Sequence, residues 1–171
     1  MPARCRFRTF RDSSRSSYLG RALAWPLLRR FVVRVHAEAF RALTGKLPAI
    51  HRVGIVGGGL FPRTALILEK LFPEAHITII DSDAANLDQA RRLLCHTRAR
   101  IDFIHERYPQ SEHVPYDLLV IPLCFMGDRA AIYNNPPAAA VLVHDWIWRS
   151  RGTSCIVSLW LLKRMNLLVR A

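Results

Sequence analysis

Residues 53–83 read VGIVGGGLFPRTALILEKLFPEAHITIIDSD, and the succession of textures in that stretch decides the fold. Residues 52–56 (RVGIV) are short and apolar, as in a strand buried on both faces. Gly57, Gly58 and Gly59 follow at once. Consecutive glycines let the chain turn tightly and let a ligand approach backbone N–H groups with no Cβ in the way. Pro62 opens a helix over 62–71, where its missing N–H costs nothing, and Pro73 marks the end of that helix. Residues 76–80 (HITII) form a second strand closing on Asp81, 24 residues after Gly57. A carboxylate at that strand end can accept hydrogen bonds from the 2′- and 3′-hydroxyls of a ribose.

The alternation continues outward from this unit. Residues 83–96 repeat apolar side chains at helical spacing (Ala84, Leu87, Ala90, Leu93, Leu94), and strands are expected at 101–105 (IDFIH) and 117–121 (DLLVI). A short helix follows Gly127-Asp128 and runs to about Asn134, and a fifth strand spans 139–143 or slightly beyond. Arg151-Gly152 reads as a turn, before a β-rich run at 154–162 and an apolar end at 166–169. Strands alternating with helices imply right-handed crossovers and a parallel sheet. The expected fold is α/β: a Rossmann-like, doubly wound, mostly parallel sheet with a C-terminal antiparallel hairpin. Trp146, Trp148 and Trp160 are expected to pack the core or that hairpin.

Upstream, Pro26 begins an amphipathic helix with Leu28, Phe31, Val32, Val35 and Ala39 on one face and Arg30, Arg34, Glu38 and Arg41 on another. Gly45 and Pro48 stop it. The chain therefore divides into a basic disordered tail at 1–17, an amphipathic helix at 18–46 and a Rossmann-like domain at 47–171. The helix is expected to dock on the domain; a membrane surface or a second copy are the other partners its apolar face suits.

The formal net charge of +12 suggests a nucleic-acid binder until it is divided along the chain. Residues 1–44 carry ten arginines against Asp12 and Glu38, whereas residues 45–171 carry fifteen basic and eleven acidic side chains. The excess belongs to the N-terminal segment, a candidate for peripheral contact with an anionic surface, and no specific nucleic-acid partner is expected. Four cysteines stand far apart with no CxxC pair, which fits neither a zinc site nor a disulfide framework. No metal is expected, and the expected compartment is reducing and cytoplasmic. No apolar run reaches the roughly 18 residues of a membrane span.

The glycine loop departs from the dinucleotide fingerprint G-x-G-x-x-G, because its third position is Pro62. Leu60-Phe61 offers an apolar ligand face rather than donors for a diphosphate. Residues 50–145 resemble the class I S-adenosylmethionine-dependent methyltransferase superfamily, and GGGLFPRTALIL is similar to the glycine-then-proline loop of its nicotianamine-synthase-like members. The resemblance implies an S-adenosylmethionine site in which Gly57 and Gly59, with Gly58 between them, meet the methionine end of the ligand. It also implies that Asp81, followed by Ser82, binds the ribose, that Glu106 lies near the adenine, and that Pro122 and Leu123 line the pocket. Ile55 stands where many members carry an acidic residue, and Phe61 replaces the usual last glycine of the motif.

Methyl transfer asks little of side chains beyond alignment, so few catalytic residues are expected. His144 is the best-placed acid-base candidate, although its neighbour Asp145 must point to the opposite face of a strand. GxSxG, HExxH and GxxxxGK[ST] are all missing from the sequence, which removes local support for serine hydrolase, zincin and NTPase chemistry. The expected function is methyl transfer, or a related S-adenosylmethionine reaction, on a small molecule. The alternatives are an NAD(P)-binding oxidoreductase domain and a non-catalytic, degenerate Rossmann-like domain.

Overall fold

Apolar runs spaced for crossovers pair into one seven-stranded sheet in the computed structural model of the chain, which describes residues 26–57, 62–108 and 115–170. The elements, in chain order, are α1 (Pro26–Thr44), β1 (Arg52–Val56), α2 (Arg63–Leu71), β2 (His76–Asp81), α3 (Ala84–Leu94) and β3 (Arg100–His105). They continue with β4 (Leu118–Ile121), α4 (Arg129–Asn134), β5 (Ala140–Trp146), β6 (Thr153–Ser158) and β7 (Lys163–Val169). The strand order is β3-β2-β1-β4-β5-β7-β6; the first five strands are parallel, and β7 runs antiparallel to β5 and β6. The expected tail at 1–17 and the start of the expected 18–46 segment lie outside the described residues.

Asp117 sets the register at the centre of the sheet. Its Oδ2 accepts the N–H groups of His51 and Arg52, both at 2.8 Å, and its own N–H donates to the Arg52 carbonyl at 2.9 Å. That clamp fixes the amino end of β1 beside β4, so the alternate residues of each strand keep to their own faces. Ile55, Ile77, Leu118 and Leu142 face α1, α2 and α3, where they pack with Phe40, Leu68 and Leu87. Val56, Ile80, Ile121 and Val143 face the other side with Tyr116 and Ile132. Covering both faces is why the strands read as unbroken apolar runs. On the second face α4 is the only helix among the described residues, so the two sides are wound unequally.

Helix α1 docks on the domain through Ala39, Phe40 and Leu43, all buried. Phe40 is fully buried, and a side chain of that size contributes about 1.5–3 kcal/mol. The same helix meets the carboxyl end of β5. There His36 stacks on His144 with ring centroids 6.2 Å apart, and the Phe40 ring lies 5.9 Å from His144. Burial pushes His144 down to about 3, and the charges of His36, Lys163 and Arg129 act in the same direction. His36 is also lowered, mainly by burial.

The connection from β5 to β6 is short and carries the turn expected at Arg151-Gly152. β6 runs parallel to β5 with β7 between them, yet residues 147–152 alone join the two. Parallel strands ordinarily need a dozen or more residues for this, usually a helix. The short strap is held by Asn166, which is completely buried opposite Val143. Its Nδ2 donates to the Arg149 carbonyl at 2.8 Å and to the Tyr133 hydroxyl at 2.9 Å, and its Oδ1 accepts the Arg151 N–H at 3.3 Å. The Tyr133 hydroxyl in turn donates to Asp145 Oδ2 at 2.8 Å, while Asp145 Oδ1 accepts the Trp146 N–H at 2.8 Å. Burial first, then the Asp145 carboxylate, pushes Tyr133 up to about 12. Gly152 closes the strap at φ +59, where an added Cβ would stand 2.4 Å from the Leu167 carbonyl oxygen.

The hairpin is shorter on one side and longer on the other than the sequence suggests. The run expected at 154–162 leaves the sheet after Ser158, because residues 159–162 form the turn, and β7 begins at Lys163 to pair with Trp146. The expectation that the tryptophans pack the core or hairpin is overturned. Trp148 and Trp160 are 65% and 98% exposed, Trp146 is 39% exposed, and Trp146 and Trp148 stack on each other with ring centroids 5.6 Å apart. They stand at the end of β5, on the strap and on the turn, beyond the reach of either core layer.

Asn166→Ala strands the Arg149 carbonyl, the Arg151 N–H and part of the Tyr133 hydroxyl, and is expected to cost roughly 2–4 kcal/mol in urea unfolding. Gly152→Ala combines positive φ with a backbone clash, and should cost more than about 2 kcal/mol in the same assay. The His144 imidazole is held neutral in the folded chain, so acid protonates the unfolded state first. Stability therefore falls as pH drops from 6.5 toward about 3. His144→Phe should show a shallower decline than wild type between pH 7 and 5; equal slopes would contradict the assignment.

Candidate functional site

The order of strands reverses direction at β1, whose neighbours are β2 on one side and β4 on the other. Crossovers leaving β1 toward β2 and returning to β4 leave a crevice at the carboxyl ends of these strands, where open α/β sheets take their ligands. β1 runs out into Gly57, whose φ of +61 is a left-handed conformation that glycine adopts without strain. The Gly57 N–H donates to the Ile80 carbonyl at 2.7 Å, and an added Cβ would lie 3.3 Å from Pro122 Cγ. The start of the glycine loop is thus held between the ends of β2 and β4. Gly58 and Gly59, with Leu60 and Phe61, lie outside the described residues.

Asp81 is the last residue of β2 and is 7% exposed. Its Oδ1 accepts the Asp83 N–H at 3.0 Å and lies 3.4 Å from Asn86 Nδ2, which fixes the plane of the carboxylate. Asp83 acts separately, capping α3 by accepting the Ala85 N–H at 2.8 Å. The Asp81 carbonyl accepts the Glu106 N–H at 3.1 Å, so the half-buried Glu106 sits one strand over from Asp81 at the same edge. Ser82 is exposed, and its carbonyl lies 3.2 Å from His105 Nε2. Pro122 and Leu123 follow β4 directly, both half-buried.

Arg129, the first residue of α4, lies beside the candidate site and is not among the residues the sequence singles out. Its guanidinium donates to the carbonyls of Pro122 (2.6 Å), Leu123 (2.7 Å) and His144 (3.0 Å). One cation thereby ties the loop after β4 to the end of β5 and orients the two residues expected to line the pocket. Phe125 lies under the same guanidinium at 5.9 Å and meets Tyr108 edge to face at 6.1 Å, so an aromatic pair spans the loops after β3 and β4. Burial raises Tyr108. The only sequence signal for Arg129 is its place just inside a helix capped by Asp128.

His144 and Asp145 do point to opposite faces. His144 belongs to the α1 side with His36 and Phe40, and Asp145 to the α4 side with Tyr133. Lys163 pairs with Trp146 beside this His pair, and its amine is lowered by burial and by Arg63. Among the described residues, no cluster of three or more His, Cys, Asp or Glu is arranged to hold a metal ion, and no helix is long and apolar enough to cross a membrane.

No protein-family model matches the chain, and no curated protein matches it in sequence. Solved structures are similar in fold. The plantazolicin methyltransferase BpumL, in complex with a triazolic desmethylPZN analog and SAH, aligns over 77% of this chain and 54% of its own at TM-score 0.54 and 21% identity. StiE O-MT aligns over 75% of this chain and 49% of its own, at TM-score 0.57 and 16% identity. A mutant of MtNAS in complex with S-adenosylmethionine aligns over 86% of this chain and 66% of its own, at TM-score 0.64 and 13% identity. The chain spans about half the length of the methyltransferases it resembles. What these likenesses establish is architecture: the chain has the Rossmann-like fold of class I methyltransferases, with a mostly parallel sheet and antiparallel C-terminal strands.

Proposed function

We propose that the chain binds S-adenosylmethionine at the carboxyl edge of β1, β2 and β4 and serves methyl transfer to a small molecule. The observation that carries the reading is Asp81: a buried, oriented carboxylate at the end of β2, beside a left-handed glycine at the end of β1. Those two features fit an adenosine carrying an uncharged diol and an amino-acid tail. A diphosphate fits less well, because Pro62 occupies the N-cap of α2 and brings no N–H to that helix start.

In this reading Asp81 accepts the ribose hydroxyls, with Ser82 alongside, and Gly57 to Gly59 give the methionine end access to backbone. Glu106 lies toward the adenine, and Pro122 and Leu123 form the wall beside Gly57. Tyr108 and Phe125 join the same proposal as aromatic walls for the base, since flat rings at the ends of β3 and β4 suit a stacked purine. The bound cofactor supplies an activated methyl group. The chain supplies alignment, and Arg129 holds the β4 loop in place for it. His144, depressed to about 3 and stacked against α1, is a weak base, so it is assigned to positioning that helix against the end of β5. The structures solved with SAH or S-adenosylmethionine support this choice of cofactor.

S-adenosylhomocysteine is expected to raise the melting temperature and NAD is not; a shift with NAD or NADP alone would favour the oxidoreductase reading. By calorimetry, Asp81→Ala should weaken S-adenosylhomocysteine binding by about 1.5–3 kcal/mol, roughly ten- to hundredfold. Asp83→Ala, which loses only a helix cap, should cost about 1 kcal/mol of stability and leave affinity nearly unchanged. Equal losses, or a loss at Asp83 alone, would show that the ribose sits elsewhere.

A further inference from the structure

The turn between β6 and β7 is the most exposed apolar feature of the described chain. Residues 159–162 read LWLL, with Leu159 66%, Trp160 98%, Leu161 45% and Leu162 45% exposed. The turn is well formed. The Leu162 N–H donates to the Leu159 carbonyl at 3.1 Å, and the Leu161 N–H to Ser158 Oγ at 3.1 Å. Leu162 even takes a left-handed backbone, φ 50, a conformation in which glycine would carry less strain. A leucine held there with nearly half its surface in water gains little from the fold itself.

The strap lies against this turn, because the Ile147 N–H donates to the Leu162 carbonyl at 2.8 Å, and it brings the stacked pair Trp146 and Trp148 alongside. Three tryptophans and three leucines thus protrude at one corner of the sheet, more than isolated surface apolar residues would explain. The corner is also cationic. Lys163 and Arg164 open β7 directly after the turn, Arg149 lies on the strap with its N–H on the Trp146 carbonyl, and residues 146–171 contain no acidic residue. Exposed tryptophan and leucine with basic flanks and no acid is the composition of a segment that seats in an anionic lipid interface: rings at headgroup depth, cations against lipid phosphates.

We propose that the 159–162 turn, with Trp146 and Trp148 beside it, is an interfacial anchor that docks this end of the protein on an anionic membrane surface. This inference is independent of the cofactor assignment, since it uses none of the residues of that site. It also differs from contact through the basic segment at the N-terminus, which would be electrostatic alone. Seated this way, the carboxyl ends of β5 and β6 approach the bilayer.

The test is co-sedimentation of the full chain with vesicles of phosphatidylcholine alone or with a quarter phosphatidylglycerol. Wild type should partition onto the anionic vesicles about tenfold or more better than onto the neutral ones, with its tryptophan emission quenched by brominated lipid. Trp160→Ser with Leu161→Ser should reduce that partition by about tenfold and abolish most of the quenching. Trp160→Ser alone, at a side chain too exposed to support the fold, should move both readouts in the same direction; the melting temperature checks folding. Equal binding by wild type and variants would overturn the proposal in favour of the N-terminal segment. No binding to anionic vesicles would overturn it outright. So would concentration-dependent dimerisation, lost in the variants, without vesicle binding; that would identify a second copy as the partner.

Discussion

The candidate site depends on the placement of β1 between β2 and β4. Because the chain crosses from β1 to one side and returns to the other, the carboxyl ends of β1, β2 and β4 share one edge of the sheet. The Asp117 clamp fixes β1 beside β4 from the opposite end of the sheet, by taking the amides of His51 and Arg52 with one carboxylate oxygen. A different register would separate Gly57 from Pro122 and carry Asp81 away from Gly57. Position, rather than any unusual side-chain chemistry, makes this edge fit for a ligand.

The second organising feature is economy on the α4 face. The chain passes from β5 to β6 in residues 147–152. The short path is sustained by buried polar contacts: Asn166 holds the strap to β7, and Tyr133 relays the contact to Asp145. Buried amide and carboxylate groups are costly unless satisfied, and here each has a partner, which makes the network specific to this one path. Arg129 does similar work at the candidate site, joining the loop after β4 to β5 through three carbonyls. Stability and site geometry are thereby coupled through α4, which contributes both Arg129 and Tyr133.

Much of this architecture is legible in the sequence because it follows from local signals. The glycine run, the proline at the start of α2, Asp81 closing an apolar strand and Asp83 before a helical repeat each report on a few neighbouring residues. Their order implies a doubly wound, mostly parallel sheet; the strand order itself comes from the structure. What the sequence does not reveal is non-local. Nothing near Asn166 announces that it will meet Arg149 and Tyr133, and nothing near Arg129 announces the carbonyls it collects. The tryptophans mislead for a related reason. Large aromatic side chains are usually covered, and only the extension of β5 to Trp146 and the turn at 159–162 place three of them outside.

The proposed S-adenosylmethionine site puts the adenosine at the edge formed by Gly57, Asp81 and Glu106. The most direct measurement is an amide chemical-shift titration of the isotopically labelled chain with S-adenosylhomocysteine. Saturable shifts are expected to concentrate at Gly57, Asp81 to Asp83, Glu106 and the residues after Ile121, with β6 and β7 little changed. Shifts confined to the β6–β7 corner, or none at millimolar ligand with the fold intact, would contradict it.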